Sequence, residues 1–543
     1  MMGLMSERPL LISSILTHAA ANHGDVEIVS RTVEGPIHRY SYREAERRAK
    51  QLANALRRLG IGPGDRVGTL AWNTFRHFEL YYAISGLGAV CHTINPRLFD
   101  DQIVYIVNHA ADRLLFVDAT FWPSIERLAP RFPADCQIVL LCNDGASPET
   151  SMPTLPCYET LLAGEDDAFE WPEFDERTAA SLCYTSGTTG HPKGALYSHR
   201  STILHAFGIS LPDAISISAR DVVCPVVPLF HACGWGIPYA APMNGAKLVF
   251  PGPRLDGASL YELFETEGVT YALGVPTVWL GFESHLSTSG TRCSTLHRVL
   301  SGGSAVPPSM VEAYARHGID MRQGWGMTEM SPLGTTAALK AKHRDLDPRR
   351  LLAVKVKQGR PVFGVEMKIV DDDGRTQPHD GKSMGELLVR GPWIVSGYFA
   401  DEAASAAAVE PNGWFHTGDM ATIDTDGYMQ ITDRRKDVIK SGGEWISSIA
   451  LENVAIAHED VAEAAVIAIP DSRWGERPLL IVAPRPGRRP DREALIEFLA
   501  RQFPKWMLPD EVACIEELPH TATGKIMKTR LREMFGDGAA RAR

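Results

Sequence analysis

Polar and apolar residues in the first part of the chain alternate between helical and strand periods. Ser41 and Glu44 have the spacing of a capping box, and Ala45, Ala49, Leu52, Leu56 and Leu59 follow on one helical face with Gly60 as the stop, so a helix is predicted there. Residues 64–71 read as a turn into a buried strand. The exchange of strand-like and helix-like stretches runs on to about residue 330, which predicts largely parallel sheets covered by helices. Between about 365 and 435 the pattern changes to short strands, with hairpin signals at Asp372, Asp373 and Gly374 and at Asp426 and Gly427, predicting a small β-rich subdomain. Further on, residues 465–469 and 479–483 read as apolar strands. A helix is predicted from near Asp491, with Leu495, Phe498 and Leu499 inward, and this last stretch can form a small α+β domain. The charged run Asp433, Arg434, Arg435, Lys436 and Asp437 interrupts two apolar regions and marks the candidate junction. The predicted division is residues 1–433 and 434–543, without internal repeats.

Composition narrows the function classes. A chain of 543 residues is too long for one core, and 44% hydrophobic with 22% charged residues excludes a disordered chain. A formal net charge of -11 argues against a nucleic-acid partner, while leaving room for a local basic pocket for phosphates. The nine cysteines stand singly with no C-x-x-C pair, which suggests neither a disulfide framework nor a thiolate zinc site and fits a reducing cytoplasm. Residues 1–20 lack a cationic start and contain Glu7, Arg8 and His18, so no secretory signal is read there. No apolar run reaches the roughly 18 residues of a transmembrane helix, so any membrane contact would be peripheral.

The densest chemical signal is YTSGTTGHPKG at 184–194, directly after the strand-like residues 179–183. Thr185, Ser186, Thr188 and Thr189 supply hydroxyls, Gly187, Gly190 and Gly194 supply backbone freedom, and Lys193 supplies a cation. Such a loop can cradle phosphate oxygens with N–H and O–H donors. An ordinary polar surface loop has the same composition, and composition alone leaves the two readings level. A Walker A loop is excluded, because His191 and Pro192 follow Gly190 where that motif needs Lys and Ser or Thr. Residues 60–64 likewise break the Rossmann fingerprint.

At this loop the chain closely resembles the adenylate-forming superfamily, which contains acyl-CoA synthetases, adenylation domains of peptide synthetases and firefly-type luciferases. The family loop has the form Y/F-T/S-S-G-T/S-T-G-x-P-K-G, and every position matches. Further segments match in the family's order: GWGMTE at 324–329, GWFHTGD at 413–419, DRRKDVIKSGG at 433–443 and PHTATGK at 519–525. The resemblance implies roles residue by residue. Glu329 matches the magnesium-coordinating glutamate, with Thr185 as a second metal contact and Thr328 touching phosphate or adenylate. Gly324 and Trp325 stand where the family contacts adenine; Trp325 replaces the usual Tyr, keeping a stacking face and losing the hydroxyl. Asp419 matches the carboxylate that accepts both ribose hydroxyls, and Arg434 an arginine reaching the same region. Lys525 matches the lysine that bridges the substrate carboxylate and the α-phosphate during adenylation. Lys436 matches the hinge of a C-terminal domain that moves between two orientations. Ser441, Gly442, Gly443 and Trp445 would then face the path of the CoA thiol. Without the motif, Glu329 or Arg434 would be read as a solvated charge, Asp419 as a turn residue, and the glycine pair as a bulge.

The segment His231 to Trp235 looks like the place where long-chain acyl-CoA synthetases set a histidine near the adenylate and a tryptophan that gates the acyl tunnel. A core aromatic is an equally good reading of Trp235 from sequence alone. Gly274 and Val275 match the acyl-pocket wall, and Gly303 and Ser304 the adenine floor. The expected fold is α/β: a large N-terminal domain of two helix-covered sheets plus a small β-rich subdomain, followed by a small mobile α+β domain. The expected activity is ATP-dependent fatty acid–CoA ligation through acyl-AMP, most similar to bacterial medium- and long-chain enzymes, with Mg2+ as cofactor and ATP, CoA and a carboxylic acid as substrates. The alternative substrate is a short or methylthio acid, and a homodimer is compatible with the sequence. A non-catalytic ATP-binding regulator would have lost Lys525 or Glu329, and both are present.

Overall fold

The computed structural model describes the chain except for residues 2, 147, 151, 153, 186–190, 443, 521–525 and 537–543. Ser186, Gly187, Thr188, Thr189, Gly443 and Lys525 therefore lie outside the described residues. Two compact units form: one from Met1–Thr185, His191–Glu366 and Arg390–Phe415, the other from Met367–Val389 and His416–Arg543.

The first unit holds two sheets. In the smaller, strands run in the order Gln137–Leu141, Leu114–Asp118, Arg66–Leu70, Val90–Thr93, Ala179–Tyr184 and Gly194–Ser198, parallel until the last pair, which is antiparallel. The larger has a parallel centre in which Lys247–Phe250, Val222–Pro225, Tyr271–Gly274, Arg298–Ser301 and Asp320–Gly326 are successive neighbours. The predicted capped helix is Tyr42–Arg58, and both halves of its capping box are made: the Glu44 carboxylate accepts the Ser41 N–H at 2.8 Å, and the Ser41 hydroxyl accepts the Glu44 N–H at 3.3 Å. Ala45, Ala49, Leu52 and Leu56 are buried as the period requires, and Leu59 caps the end half-buried.

Helix Phe75–Gly86 is buried at every position, including Arg76, His77 and Glu79. Its charges are tolerated because they are paired. Arg76 bonds Glu159 at 2.8 Å and Glu34 at 2.9 Å, while Glu79 accepts from Arg48 at 2.8 Å and from the Tyr158 hydroxyl at 2.5 Å. Just before this helix, Trp72 donates its N–H to the buried Asp118 carboxylate at 2.6 Å. Asn73, next in sequence, donates to the carbonyls of Pro225 and Val227 at 2.7 and 2.8 Å and accepts the Leu229 N–H at 2.7 Å. Asn73 thus fixes the backbone that leads into His231.

In the second unit, strands Glu366–Val370, Met384–Arg390, Phe415–Ile423 and Met429–Arg434 are neighbours in that order. The predicted turn at Asp426 and Gly427 joins the last two: Asp424 accepts the N–H groups of Asp426 and Tyr428 at 2.8 and 2.9 Å, and Gly427 takes φ 83°. A second sheet pairs Val461–Asp471 with Gly475–Pro484 over their length, with Glu511–Cys514 parallel on the far side. Helix Arg492–Ala500 buries Leu495 and Leu499 against it, whereas Phe498 is half-buried and sets its edge on His458 at 5.2 Å. Among the described residues no helix is long and apolar enough to cross a membrane.

Burial pushes the Asp118 carboxyl up to about 7, against the pull of the Trp72 N–H. A carboxyl raised on folding contributes stability at low pH, and that contribution is lost as pH rises from its unfolded value near 4 to about 7. Asp118→Asn keeps an oxygen acceptor for Trp72 and removes the charge. We expect urea unfolding to show Asp118→Asn more stable than the parent by roughly 2–4 kcal/mol at pH 8 and equal to it near pH 4; a gain that does not vary with pH would contradict this.

Candidate active site

The parallel strands of the larger sheet share one carboxyl edge, and several of the sequence-predicted residues follow those strand ends. Val275 follows strand Tyr271–Gly274, Gly303 and Ser304 follow Arg298–Ser301, Gly324 and Trp325 close Asp320–Gly326, and Thr328 and Glu329 come directly after. Carboxyl ends of parallel strands are where open α/β sheets bind ligands, because the loops there are free of the sheet's own hydrogen bonds.

The phosphate-loop segment bridges the antiparallel strands Ala179–Tyr184 and Gly194–Ser198. Its base is closed twice: the Thr185 N–H donates to the Lys193 carbonyl at 2.9 Å, and the Lys193 N–H donates to the Thr185 hydroxyl at 3.1 Å. The Lys193 ammonium stands 5.0 Å from the centroid of the Tyr398 ring, a cation–π distance. Tyr398 in turn donates its hydroxyl to the Glu329 carboxylate at 2.8 Å. Burial, and then the charge of Glu329, push the Tyr398 phenol up, so it stays a neutral donor. Glu329 is 6% exposed. Its backbone is held as well, since the Val395 N–H donates to the Glu329 carbonyl at 2.9 Å and the Tyr197 hydroxyl donates to the Thr328 carbonyl. One acid, one ammonium and the mouth of a hydroxyl-rich loop are thereby brought together, a set that can position a polyphosphate. Trp325 is buried with its six-membered ring against Gly334.

On the acyl side, the predicted residues also converge. Ala232, Cys233, Gly234, Trp235 and Gly236 all take positive φ, from 40° to 75°. Three of these lack glycine's freedom, and each such residue costs on the order of 1–3 kcal/mol, so the turn persists only because its surroundings over-determine it. Tyr81 of the buried helix donates its hydroxyl to the Leu229 carbonyl, and the Cys233 sulfur lies 3.2 Å from that of Cys183 on the strand entering the phosphate loop. The turn places the Trp235 ring over Gly302, where a Cβ would come within 3.1 Å of the indole and 3.0 Å of the Gly324 carbonyl. Gly302 also donates its N–H to the Gly274 carbonyl at 3.3 Å, and the Gly303 Cα borders Val275. Trp235, Gly274, Val275 and Gly303 thus meet in one place, with His231 four residues before Trp235 and half-buried.

In the second unit, Asp419 and Arg434 are directly opposed cross-strand neighbours. The Arg434 guanidinium bonds the Asp419 carboxylate at 2.9 Å, and Asp419 is 2% exposed. Lys436 follows on the exposed connection to strand Ile439–Ser441. Ser441 accepts from Arg477 at 3.1 Å, and Lys440 stands 4.1 Å from the centroid of the Trp445 ring. Gly442 takes φ 62° with its Cα under Trp474, where a Cβ would approach the ring to 2.8 Å. Only glycine fits both demands.

The closed base of the phosphate-loop motif and a dry carboxylate at the ends of parallel strands are what an ATP-dependent, acid-activating ligase requires. The chain belongs to the AMP-binding enzyme family, whose model matches residues 16–399, and the model of that family's C-terminal domain matches residues 450–525. It is an AMP-forming acid–thiol ligase, with ATP, a carboxylic acid and CoA as substrates. A 3-methylmercaptopropionyl-CoA ligase of Ruegeria lacuscaerulensis is 51% identical over 99% of both chains. A medium-chain-fatty-acid–CoA ligase of Ectopseudomonas oleovorans is 48% identical over 99% of this chain and 98% of its own. Among solved structures, the anthranilate CoA ligase AuaEII in complex with anthranoyl-AMP superposes with a TM-score of 0.85 at 25% identity, covering 98% of this chain and 99% of its own.

Sequence reasoning missed Tyr398, Tyr197 and Asn73. Tyr398 lies 69 residues from Glu329 and Asn73 lies 152 residues from Pro225, so no local pattern announces the contacts; only the Gly397 and Tyr398 pair before the helix cap at Asp401 hints at a fixed position. Tyr398→Phe removes one hydrogen bond to a buried carboxylate, an interaction typically of about 1.5–3 kcal/mol. Acid-dependent ATP–pyrophosphate exchange should therefore fall roughly 10- to 100-fold in kcat/KM for ATP; a change under about twofold would remove Tyr398 from the site.

Proposed function

We propose that the preferred acids are medium- to long-chain fatty acids, converted first to acyl-AMP with release of pyrophosphate and then to acyl-CoA with release of AMP. The observation that carries this reading is the strained turn that sets Trp235 against Gly302 at the strand ends. A large ring held by an over-determined turn, beside the buried and apolar Leu229, Phe230, Ala232 and Cys233, suits a wall or gate for a hydrocarbon chain. His231 is the one titratable imidazole in residues 229–236, and it would stand near the carboxylate end.

In the first half-reaction, the substrate carboxylate attacks the α-phosphorus of ATP held by the 185–193 segment. Positioning and charge neutralisation supply the rate. Lys193 would neutralise the phosphate tail, Asp419, oriented by Arg434, would accept the ribose hydroxyls, and Lys525 would bridge carboxylate and α-phosphate. The donor set fits Mg2+: Glu329 and the Thr185 hydroxyl offer hard oxygens, the ligand type this ion takes alongside phosphates and water. Glu329 and Thr185 would hold it, and bound there it would offset the charge of the departing pyrophosphate. In the second half-reaction, we assign residues 434–543 to a mobile domain turning about Lys436. Ser441, Gly442, Gly443 and Trp445 would then border the pantetheine path. A cytoplasmic setting is part of the same reading, since ATP and CoA are drawn from that compartment.

A short thioether acid is the second reading. It is supported by the 51% identity to a methylmercaptopropionyl-CoA ligase. The two separate on CoA-dependent AMP release across unbranched acids from short to long, with 3-methylmercaptopropionate included, for the parent enzyme and Trp235→Ala. We expect kcat/KM to peak at medium or long chains, and Trp235→Ala to flatten the profile with roughly a tenfold loss for the best acid. A peak at the thioether acid would replace the substrate, and a profile unmoved by Trp235→Ala would remove the gate.

A further inference from the structure

The last helix of the chain, Lys528–Phe535, begins three residues after Lys525. Between Pro519 and Met527, His520 and Ile526 form an antiparallel bridge, and the Met527 N–H donates to the Pro519 carbonyl at 2.7 Å. Lys528 comes directly next. Its ammonium is nearly out of water and stands 2.6 Å from the Glu452 carboxylate. It also donates to the Ser448 hydroxyl at 2.6 Å, and that hydroxyl donates on to Asp433 at 3.0 Å. Asp433 is fully buried, and its second oxygen accepts the Ser448 N–H at 2.5 Å. One turn further along the same helix, Arg532 bonds the Asp437 carboxylate and donates to the Lys436 carbonyl at 3.2 Å. Residues four apart share a helix face, so this face carries two cations, and both reach the 433–437 segment.

We propose that Lys528 is a positioning residue for the adenylation half-reaction: it ties the start of the last helix to Asp433, on the far side of the Lys436 hinge, and so fixes where the segment bearing Lys525 leaves the domain. The proposal rests on the reading of Lys525 and Lys436 given above. The placement of the charges supports it. Burial pushes the Glu452 carboxyl up to about 7, and the Lys528 charge pulls the other way; burial also raises Asp433, again opposed by Lys528. An ammonium paired with one buried carboxylate and linked through the Ser448 hydroxyl to another is held to one geometry, because leaving any member unpaired is costly. A surface ion pair would have no such fixity. The network also joins a residue before the hinge to the residue that follows the lysine segment, which a staple of the domain core alone would not need.

Two half-reactions, measured separately on the full-length enzyme, test this: acid-dependent ATP–pyrophosphate exchange, and conversion of chemically prepared acyl-AMP with CoA to acyl-CoA. Lys528→Met should lower exchange about 20-fold or more while lowering thioester formation less than about threefold, and Lys528→Arg should restore most of the exchange. Should Lys528→Met prove unfolded by its thermal transition, Ser448→Ala and Arg532→Gln take its place, each with roughly a three- to tenfold selective loss of exchange. Equal losses in both half-reactions, or unchanged exchange in folded variants, would overturn the proposal. Lys525→Ala is run alongside. A selective loss there with an even loss in Lys528→Met overturns the positioning role alone, whereas an even loss in Lys525→Ala overturns the reading beneath it.

Discussion

Glu329 is a carboxylate kept almost dry, and the first unit is built to keep it so without leaving it unsupported. An isolated buried charge is expensive, yet this one takes the Tyr398 hydroxyl at 2.8 Å, and its backbone is held from both sides. The same tyrosine gives its ring face to Lys193, so acid and ammonium are both indexed to one side chain. Both groups are thereby placed to act on a polyphosphate.

A second constraint runs through the acyl side. Five consecutive residues in the left-handed region form an arrangement the chain would not adopt by itself. The backbone leading into it is held at Leu229 by contacts that originate far away, from Tyr81 on the wholly buried helix and Asn73 at that helix's entry. Cys183 adds a contact from the strand that enters the phosphate loop. In the proposed reading, the acid and nucleotide sites therefore share a scaffold.

Much of this was legible in the sequence, for identifiable reasons. The capping box at Ser41 and Glu44, the turn at Gly427 and the phosphate-loop motif are written in neighbouring residues, and local chemistry determines them. Asp419 and Arg434 came as separate motif residues, and the strand register makes them one cross-strand pair. Tyr398, Asn73 and Lys528 were invisible, because each acts on a residue tens of positions away and none sits in a periodic pattern. The left-handed run at 232–236 gave no sign either: two glycines suggest a turn, but Ala232, Cys233 and Trp235 do not ask for positive φ, and tertiary contacts impose it. The contact-defined units differ from the sequence division for a similar reason. The β-rich strands and the last domain pair charges at Lys440 and Asp372 and at Arg435 and Glu386, which no boundary signal in the chain could reveal.

The central claim is that one carboxylate oxygen of the acid becomes bonded to the α-phosphorus of ATP before CoA enters. Acid labelled with oxygen-18 in its carboxylate, turned over with ATP, Mg2+ and CoA in unlabelled water, tests this most directly through mass analysis of the nucleotide product. Attack on the α-phosphorus predicts one labelled oxygen in each AMP and none in pyrophosphate. Unlabelled AMP, or label in inorganic phosphate alongside ADP, would contradict acyl-adenylate chemistry and with it the assignment of the Thr185, Lys193 and Glu329 cluster.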